Sequence, residues 1–306
     1  MLIRVPKGWE IAERDTAPEG AFLSRRRVLQ SLGFLGAAGV LRESLRAATA
    51  RNPEFTVDRP ITQEWAVEGF NNFYEFDDSN KENVKNLVGK FVTRPWKFEA
   101  SGLVNKPQTF DVDDLIKTMP LEERVYRHRC VEAWSMVIPW MGFPFSELIK
   151  KVDPKPEAKF VRFVSVKRPN EEPNIHGAPQ YPWPYHEGLR MDEAMNPLTL
   201  LVTGVFGKPL PAQNGAAVRI VMPWKYGFKG AKSIERIEFV NKQPNTLWND
   251  IGPSEYGFYS NVNPTRPHPR WSQAKERVIP SGERIPTLMY NGYEKWVAQM
   301  YNGKEY

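Results

Sequence analysis

The stretch VYRHRCVEAWSMVIPWMGFPF, residues 125–145, holds the single cysteine of a 306-residue chain. Cys130 follows Arg127, His128 and Arg129, and Trp134 and Trp140 come soon after. Nearby cations favour the thiolate, which is both the nucleophile and the metal ligand. A lone cysteine is also commonly a small buried hydrophobe. From its neighbours alone Cys130 is structural, a metal ligand or a nucleophile, and all three readings stand.

The N-terminal fifty residues bear on that choice. Residues 24–30 read SRRRVLQ, a twin-arginine signature with one arginine to spare. Residues 31–41, SLGFLGAAGVL, form a weakly apolar run, and Ala48-Thr49-Ala50 is a small-x-small cleavage site. Basic, apolar and cleavage parts in this order predict a cleaved export signal over residues 1–50, and the paired arginines point to the Tat route. The apolar run is about half of the roughly 20 residues needed to span a bilayer. The competing reading is a buried N-terminal helix with a basic start. Tat carries folded proteins, which suits a chain that takes up a cofactor before it leaves the cytoplasm. The destination is the periplasm, where disulfides form readily and an exposed lone thiol is open to oxidation. Cys130 is therefore expected to be buried, ligated or catalytic.

The first fifty residues hold eight Lys and Arg against five Asp and Glu, so 34 basic and 31 acidic residues remain beyond them. That mild balance gives no argument for a nucleic-acid partner. Residues 51–306 suffice for one well-buried catalytic domain. With 27 Pro, 21 Gly and 10 Trp in the chain, a loop-rich domain with a shaped pocket is expected.

Strands are predicted over 96–104, a short stretch after the 105–108 turn, 123–129 leading into Cys130, 159–166, 198–205, 216–222 and 233–240. Asp111 is placed to cap a helix over 112–119. Further short helices are expected over 145–152, closed by Asp153-Pro154, and over 185–195, ended by Asn196-Pro197. Residues 68–76, EGFNNFYEF, read as an aromatic-rich loop, and those after Asn241 mostly as coil. Strands and short helices mix without a regular βαβ alternation, so the class is α+β, with mixed sheets and much coil. No G-x-G-x-x-G, P-loop or C-x-x-C is present.

The four histidines are scattered, and none pairs at the spacing of an H-E-x-x-H zinc site. A hydrolase would need Cys130 with a base such as His176 or His186. The second informative stretch is residues 207–240, GKPLPAQNGAAVRIVMPWKYGFKGAKSIERIEFV. Gly207, Gly215, Gly227 and Gly230 alternate there with Arg219, Lys225, Lys229 and Lys232. Glycines admit close backbone approach, and interleaved cations suit an anion such as phosphate. Two hairpins with solvated lysines would look the same.

RCVEAWSM at 129–136 and PLPAQNG…VRIVMPWKYGFKGAKSI at 210–234 resemble the sulfite-oxidase-like molybdopterin family. Within it they look like the branch that reduces methionine sulfoxide in periplasmic proteins, and EGFNNFYEF matches the same branch. The resemblance runs from about residue 53 to the C-terminus. It implies the sulfite-oxidase-like molybdopterin-binding fold and a cofactor of one mononuclear molybdenum on one molybdopterin. It implies that Cys130 is the protein's thiolate ligand to that metal and is catalytic. Soft thiolate ligation of a redox metal is chemically sensible. Asn71, Tyr74, Glu75, Ser165, Asn214, Arg219, Gly230, Ala231 and Lys232 match cofactor-binding positions, with Arg219 and Lys232 on the terminal phosphate. Ser165 stands where Thr is expected and keeps the hydroxyl. Tyr126, Trp134 and Trp140 are candidates for the apolar substrate wall, or equally for the core.

Sulfite oxidases usually carry His where this chain has Asn214, and they add a dimerisation domain after the molybdenum domain. Only 65 residues follow Asn241 here, so a monomeric catalytic subunit is expected. One Cys excludes a C-x-x-C-H haem site, so electrons must come from another protein. The resemblance implies a membrane haem b subunit as donor, fed from quinone or a flavin. It also implies oxidised periplasmic proteins as substrates, met after export by the Tat machinery. The alternatives are a sulfite dehydrogenase of the same fold and a non-enzymatic periplasmic binding protein.

Overall fold

The centre of the molecule is a strand whose sequence hides it. In the computed structural model, which describes residues 50–302, β4 runs over Trp134–Pro144 and is buried along almost its whole length. Burial on both faces replaces the usual alternation with an apolar run, and Pro139 breaks the sequence pattern further. The sequence reading did not include this strand. The proposed export signal, residues 1–50, lies outside the described residues except for Ala50.

In chain order the other strands are β1 Lys97–Gly102, β2 Gln108–Asp111, β3 Glu122–Arg129, β5 Phe160–Ser165 and β6 His186–Arg190. Then follow β7 Leu200–Val205, β8 Lys208–Pro209, β9 Arg219–Val221, β10 Ile234–Val240, β11 Lys275–Val278 and β12 Arg284–Pro286. They form two mixed sheets. One has the order β2-β1-β10-β5-β6, with β1 and β10 parallel. The other has the order β12-β11-β4-β7-β8, with β3 paired to β4 and β9 paired to β7. In that sheet β11 runs parallel to the start of β4. Mixed sheets with few, short helices agree with the expected α+β class.

The helix Phe145–Val152 buries Phe145, Leu148, Ile149 and Val152, the spacing of one helical face. Asp153 ends it in the left-handed region at φ 55°, as the Asp-Pro pair suggested. Helix Val112–Thr118 begins where Asp111 accepts from the backbone N–H groups of Asp113 and Asp114. One expectation is corrected. Residues 185–195 are not one helix: His186–Arg190 is β6, and only Met191–Met195 is helical. Antiparallel pairing with β5 supplies hydrogen bonds that one short helix could not match. Gly188 sits under the ring of Phe258, where a Cβ would come within 2.8 Å. Beyond Asn241 the chain is largely coil, interrupted by helix Leu247–Ile251, the β11–β12 hairpin and short helical turns between Met289 and Met300. No helix among the described residues is long and apolar enough to cross a membrane.

Candidate active site

The hairpin between β3 and β4 builds the first wall. Its turn closes with the Ala133 N–H donating to the Cys130 carbonyl at 3.0 Å and the Cys130 N–H donating to the Trp134 carbonyl at 2.9 Å. Cys130 is thereby fixed at the edge of a cavity of about 760 Å³. From β4, Trp134, Met136, Ile138 and Trp140 line the cavity, every second residue on one face of the strand. Asn71 and Tyr74 enter from the aromatic loop, and Asn214, Arg219 and Lys232 from the glycine-rich segment. The segment after Asn241 adds Trp248 from its short helix and Tyr256 and Trp271 from coil.

The arginines beside the thiol in sequence are committed to other partners. Arg127 is turned to Asp58. Arg129 is fully buried, with Nε 3.0 Å from Glu276 and Nη2 donating to Gln273 and Thr287. His128 lines the cavity, but burial, with Arg219 and Lys232 adding to it, pushes its pKa down to about 3. Burial, followed by the Glu132 carboxylate, pushes the Cys130 thiol up to about 12. Arg129 and Lys81 pull the other way without offsetting burial, so the surroundings do not favour the thiolate and a soft metal would have to displace the proton. Asn72 Nδ2 lies 3.4 Å from the sulfur and 3.0 Å from Glu132, which also pairs with Lys81 at 3.1 Å.

The cations of residues 207–240 divide in two. Lys225 pairs with Glu193 at 2.6 Å and Lys229 with Glu187 at 2.5 Å, both fully buried. Arg219 and Lys232 make no ion pair among the described residues, and both line the cavity. Arg219 lies 4.9 Å over the Trp140 ring and donates from Nη1 to the Asn214 carbonyl, while its Nε is buried without a partner. Burial lowers the Arg219 guanidinium to about 10 and the Lys232 amine to about 8, the latter against the pull of Glu75. Gly215, at φ 98°, lets the Lys232 stem lie against the backbone, since a Cβ there would come within 2.8 Å of it. Asn214 donates to the Val67 carbonyl and to Asn71 Oδ1, each at 2.9 Å, and its own Oδ1 is left without a partner.

Of the remaining candidates, Glu75, Ser165, Gly230 and Ala231 do not line the cavity themselves. Ser165 donates to the Lys232 carbonyl at 2.7 Å, and Gly230 packs against Ile220 and Arg219. Ala231 is fully buried, as is Glu75, whose Oε2 has no partner. Tyr126 is corrected to the core. Its hydroxyl donates to the Leu198 carbonyl, its ring packs on Phe55 and Tyr293, and it does not reach the cavity. His176 and His186 do not line the cavity either, and His186 is engaged by Asp250 at 3.0 Å. Nothing supports the hydrolase reading. Residues that sequence reading missed are His128, Asn72 and Glu132. The first was legible as the strand neighbour two before Cys130.

A buried thiol, an unpaired guanidinium and ammonium, and orphaned polar atoms on Asn214 and Arg219 share one cavity. Unmet buried polar groups are costly. The set suits a ligand that brings a soft metal to sulfur and an anionic tail to the cations. The sequence of residues 86–248 matches the oxidoreductase molybdopterin binding domain. This chain belongs to the molybdopterin-binding oxidoreductases. As a family member it is an oxidoreductase that carries molybdenum on molybdopterin, and the residues of the cavity fit that group. The chain is similar to a protein-methionine-sulfoxide reductase catalytic subunit MsrP of Burkholderia mallei, at 51% identity over 97% of this chain and 95% of that one. A protein of the same name from Ralstonia nicotianae is 46% identical over 100% of this chain and 98% of that one. A solved structure, the sulfane dehydrogenase SoxCD of Paracoccus pantotrophus, is similar at a TM-score of 0.45 and 15% identity, over 76% of this chain and 62% of that one.

Proposed function

We propose that this molybdopterin-dependent enzyme reduces methionine sulfoxide in periplasmic proteins back to methionine. The observation that carries the reading is the convergence of Cys130, Asn214, Arg219 and Lys232 on one cavity, in a chain about half identical to subunits named for that reaction. The cofactor, when bound, supplies oxygen-atom transfer, with two electrons and two protons releasing the sulfoxide oxygen as water.

The chain's own residues hold and shape. Cys130 is the thiolate ligand to molybdenum. Arg219 and Lys232 hold the pterin phosphate, Asn71 and Asn214 present amide groups to the pterin, and Ser165 fixes the backbone that carries Lys232. Tyr74 completes the cradle, with Glu75, Gly230 and Ala231 supporting it from behind. Trp134 and Trp140 form an apolar wall suited to the methylenes beside a neutral, dipolar sulfoxide. Residues 51–306 act as one catalytic domain, supported by a single continuous core. A membrane haem b subunit delivers the electrons, and residues 1–50 direct export by the Tat route to the periplasm.

The test is a turnover assay on molybdenum-loaded protein. With a reduced dye as donor, free and protein-bound methionine sulfoxide should be reduced. Sulfite oxidation without sulfoxide reduction would establish the sulfite dehydrogenase alternative. Protein made without molybdenum in cofactor-competent cells would favour the binding protein.

A further inference from the structure

Beside the mouth of the cavity runs a groove of about 500 Å³ along β11. It adjoins the cavity, since Glu132 and Trp271 line both. The Arg277 N–H donates to the Ala133 carbonyl at 2.8 Å, so β11 is tied to the turn that carries Cys130. The Arg277 guanidinium lies 5.8 Å from the ring of Phe70, another lining residue of the cavity.

The charge of the groove is one-sided. Lys275, Arg277 and Arg284 line it, all three exposed and none in an ion pair among the described residues. The two carboxylates that line it are already engaged. Glu132 pairs with Lys81, and Glu276 with Arg59 and Arg129. Arg277 and Arg284 also stand directly opposite each other across the β11–β12 ladder. Like charges in that position oppose strand pairing. Stability of the hairpin therefore does not account for them, whereas a bound anion would.

We propose that this groove receives an acidic stretch of polypeptide flanking the oxidised methionine of a substrate protein. The inference rests on the proposed methionine sulfoxide reductase function. A methionine that reaches the cavity must leave its flanking chain outside the mouth, and the groove begins there. Guanidinium groups match carboxylates through paired hydrogen bonds. Each exposed pair contributes little and is screened by salt. The groove thus biases the choice of substrate without excluding neutral segments.

The test uses the loaded enzyme and labelled peptides with one methionine sulfoxide flanked by Asp and Glu, by Ser and Gly, or by Lys. Binding is read by fluorescence anisotropy and turnover with a reduced dye. The groove is thus tested even if turnover fails, and failed turnover counts against the proposed function alone. The acidic peptide should bind about fivefold more tightly than the neutral one at low salt, a preference that added salt removes. The triple variant Lys275→Gln, Arg277→Gln, Arg284→Gln should lose it, with kcat and the kinetics of free methionine sulfoxide unchanged. The corresponding triple Glu variant should prefer the Lys peptide. Indifference to flanking charge in the parent, or a preference that survives in both variants, overturns the proposal. So do substitutions that spare the peptides but slow reduction by the membrane electron donor, which would assign the groove to that partner.

Discussion

At the scale of single residues, the arginines beside Cys130 in sequence are not the cations of its cavity. Arg127 and Arg129 find carboxylates outside the cavity, and Glu132 is the charge that faces the sulfur. The positive charge deeper in the cavity comes from Arg219 and Lys232, far on in the sequence. In the cofactor-free protein Arg219 is a buried cation and Lys232 a half-buried one, each held against a desolvation penalty. Arg219→Met should therefore leave the thermal stability of the cofactor-free protein unchanged or raised. The same substitution should cut cofactor affinity by about tenfold to a hundredfold, since a hydrogen bond to an ionised group contributes ~1.5–3 kcal/mol. Molybdenum per chain and a melting curve check the two halves, and full occupancy would remove Arg219 from the anion site. Lys232 makes a pH-dependent counterpart. Burial holds its pKa near 8, against 10.5 in the unfolded chain. Between those values the unfolded chain carries a proton that the folded one lacks, so this group makes stability rise with pH across that window. Lys232→Met should flatten the rise in denaturant titrations of cofactor-free protein. Loading the cofactor should flatten it too, because an adjacent anion favours the ammonium.

At the scale of elements, legibility followed how local the determining forces are. The helix Phe145–Val152 and the Asp111 cap were readable because periodicity and a single side chain decide them. Strand β6 was not, because its partner β5 decides it. Strand β4 was not, because burial on both faces erases its alternation. Tyr126 was open between the pocket wall and the core, and its place on β3 against Phe55 and Tyr293 settles it as core. Two of the four cations between the glycines, Lys225 and Lys229, are internal ion pairs, and only the three-dimensional placement of Glu193 and Glu187 tells them from Arg219 and Lys232. The cap offers a control for the site. Asp111→Ala should lower the stability of the domain by about 1 kcal/mol while molybdenum content stays that of the parent. A stability unchanged in denaturant titration would show that the helix does not depend on this cap.

At the scale of the whole molecule, the two sheets bring residues from the aromatic loop to the final coil around one cavity, and the family match reaches most of them. Resemblance supplied the cofactor, whereas the residues alone had left Cys130 undecided. The proposed export signal belongs to this scale as well. Replacing Arg25, Arg26 and Arg27 together by Lys keeps the charge and removes the arginine identity. Folded protein should then accumulate in the cytoplasm, and a normal periplasmic yield in fractionated cells would contradict the Tat reading. The most direct measurement on the central claim is X-ray absorption at the molybdenum edge, comparing the parent with Cys130→Ser. If Cys130 is the protein's ligand, the variant loses one sulfur from the metal's coordination shell and its sulfoxide turnover falls away. An unchanged sulfur shell in Cys130→Ser would contradict the account and return Cys130 to a structural role.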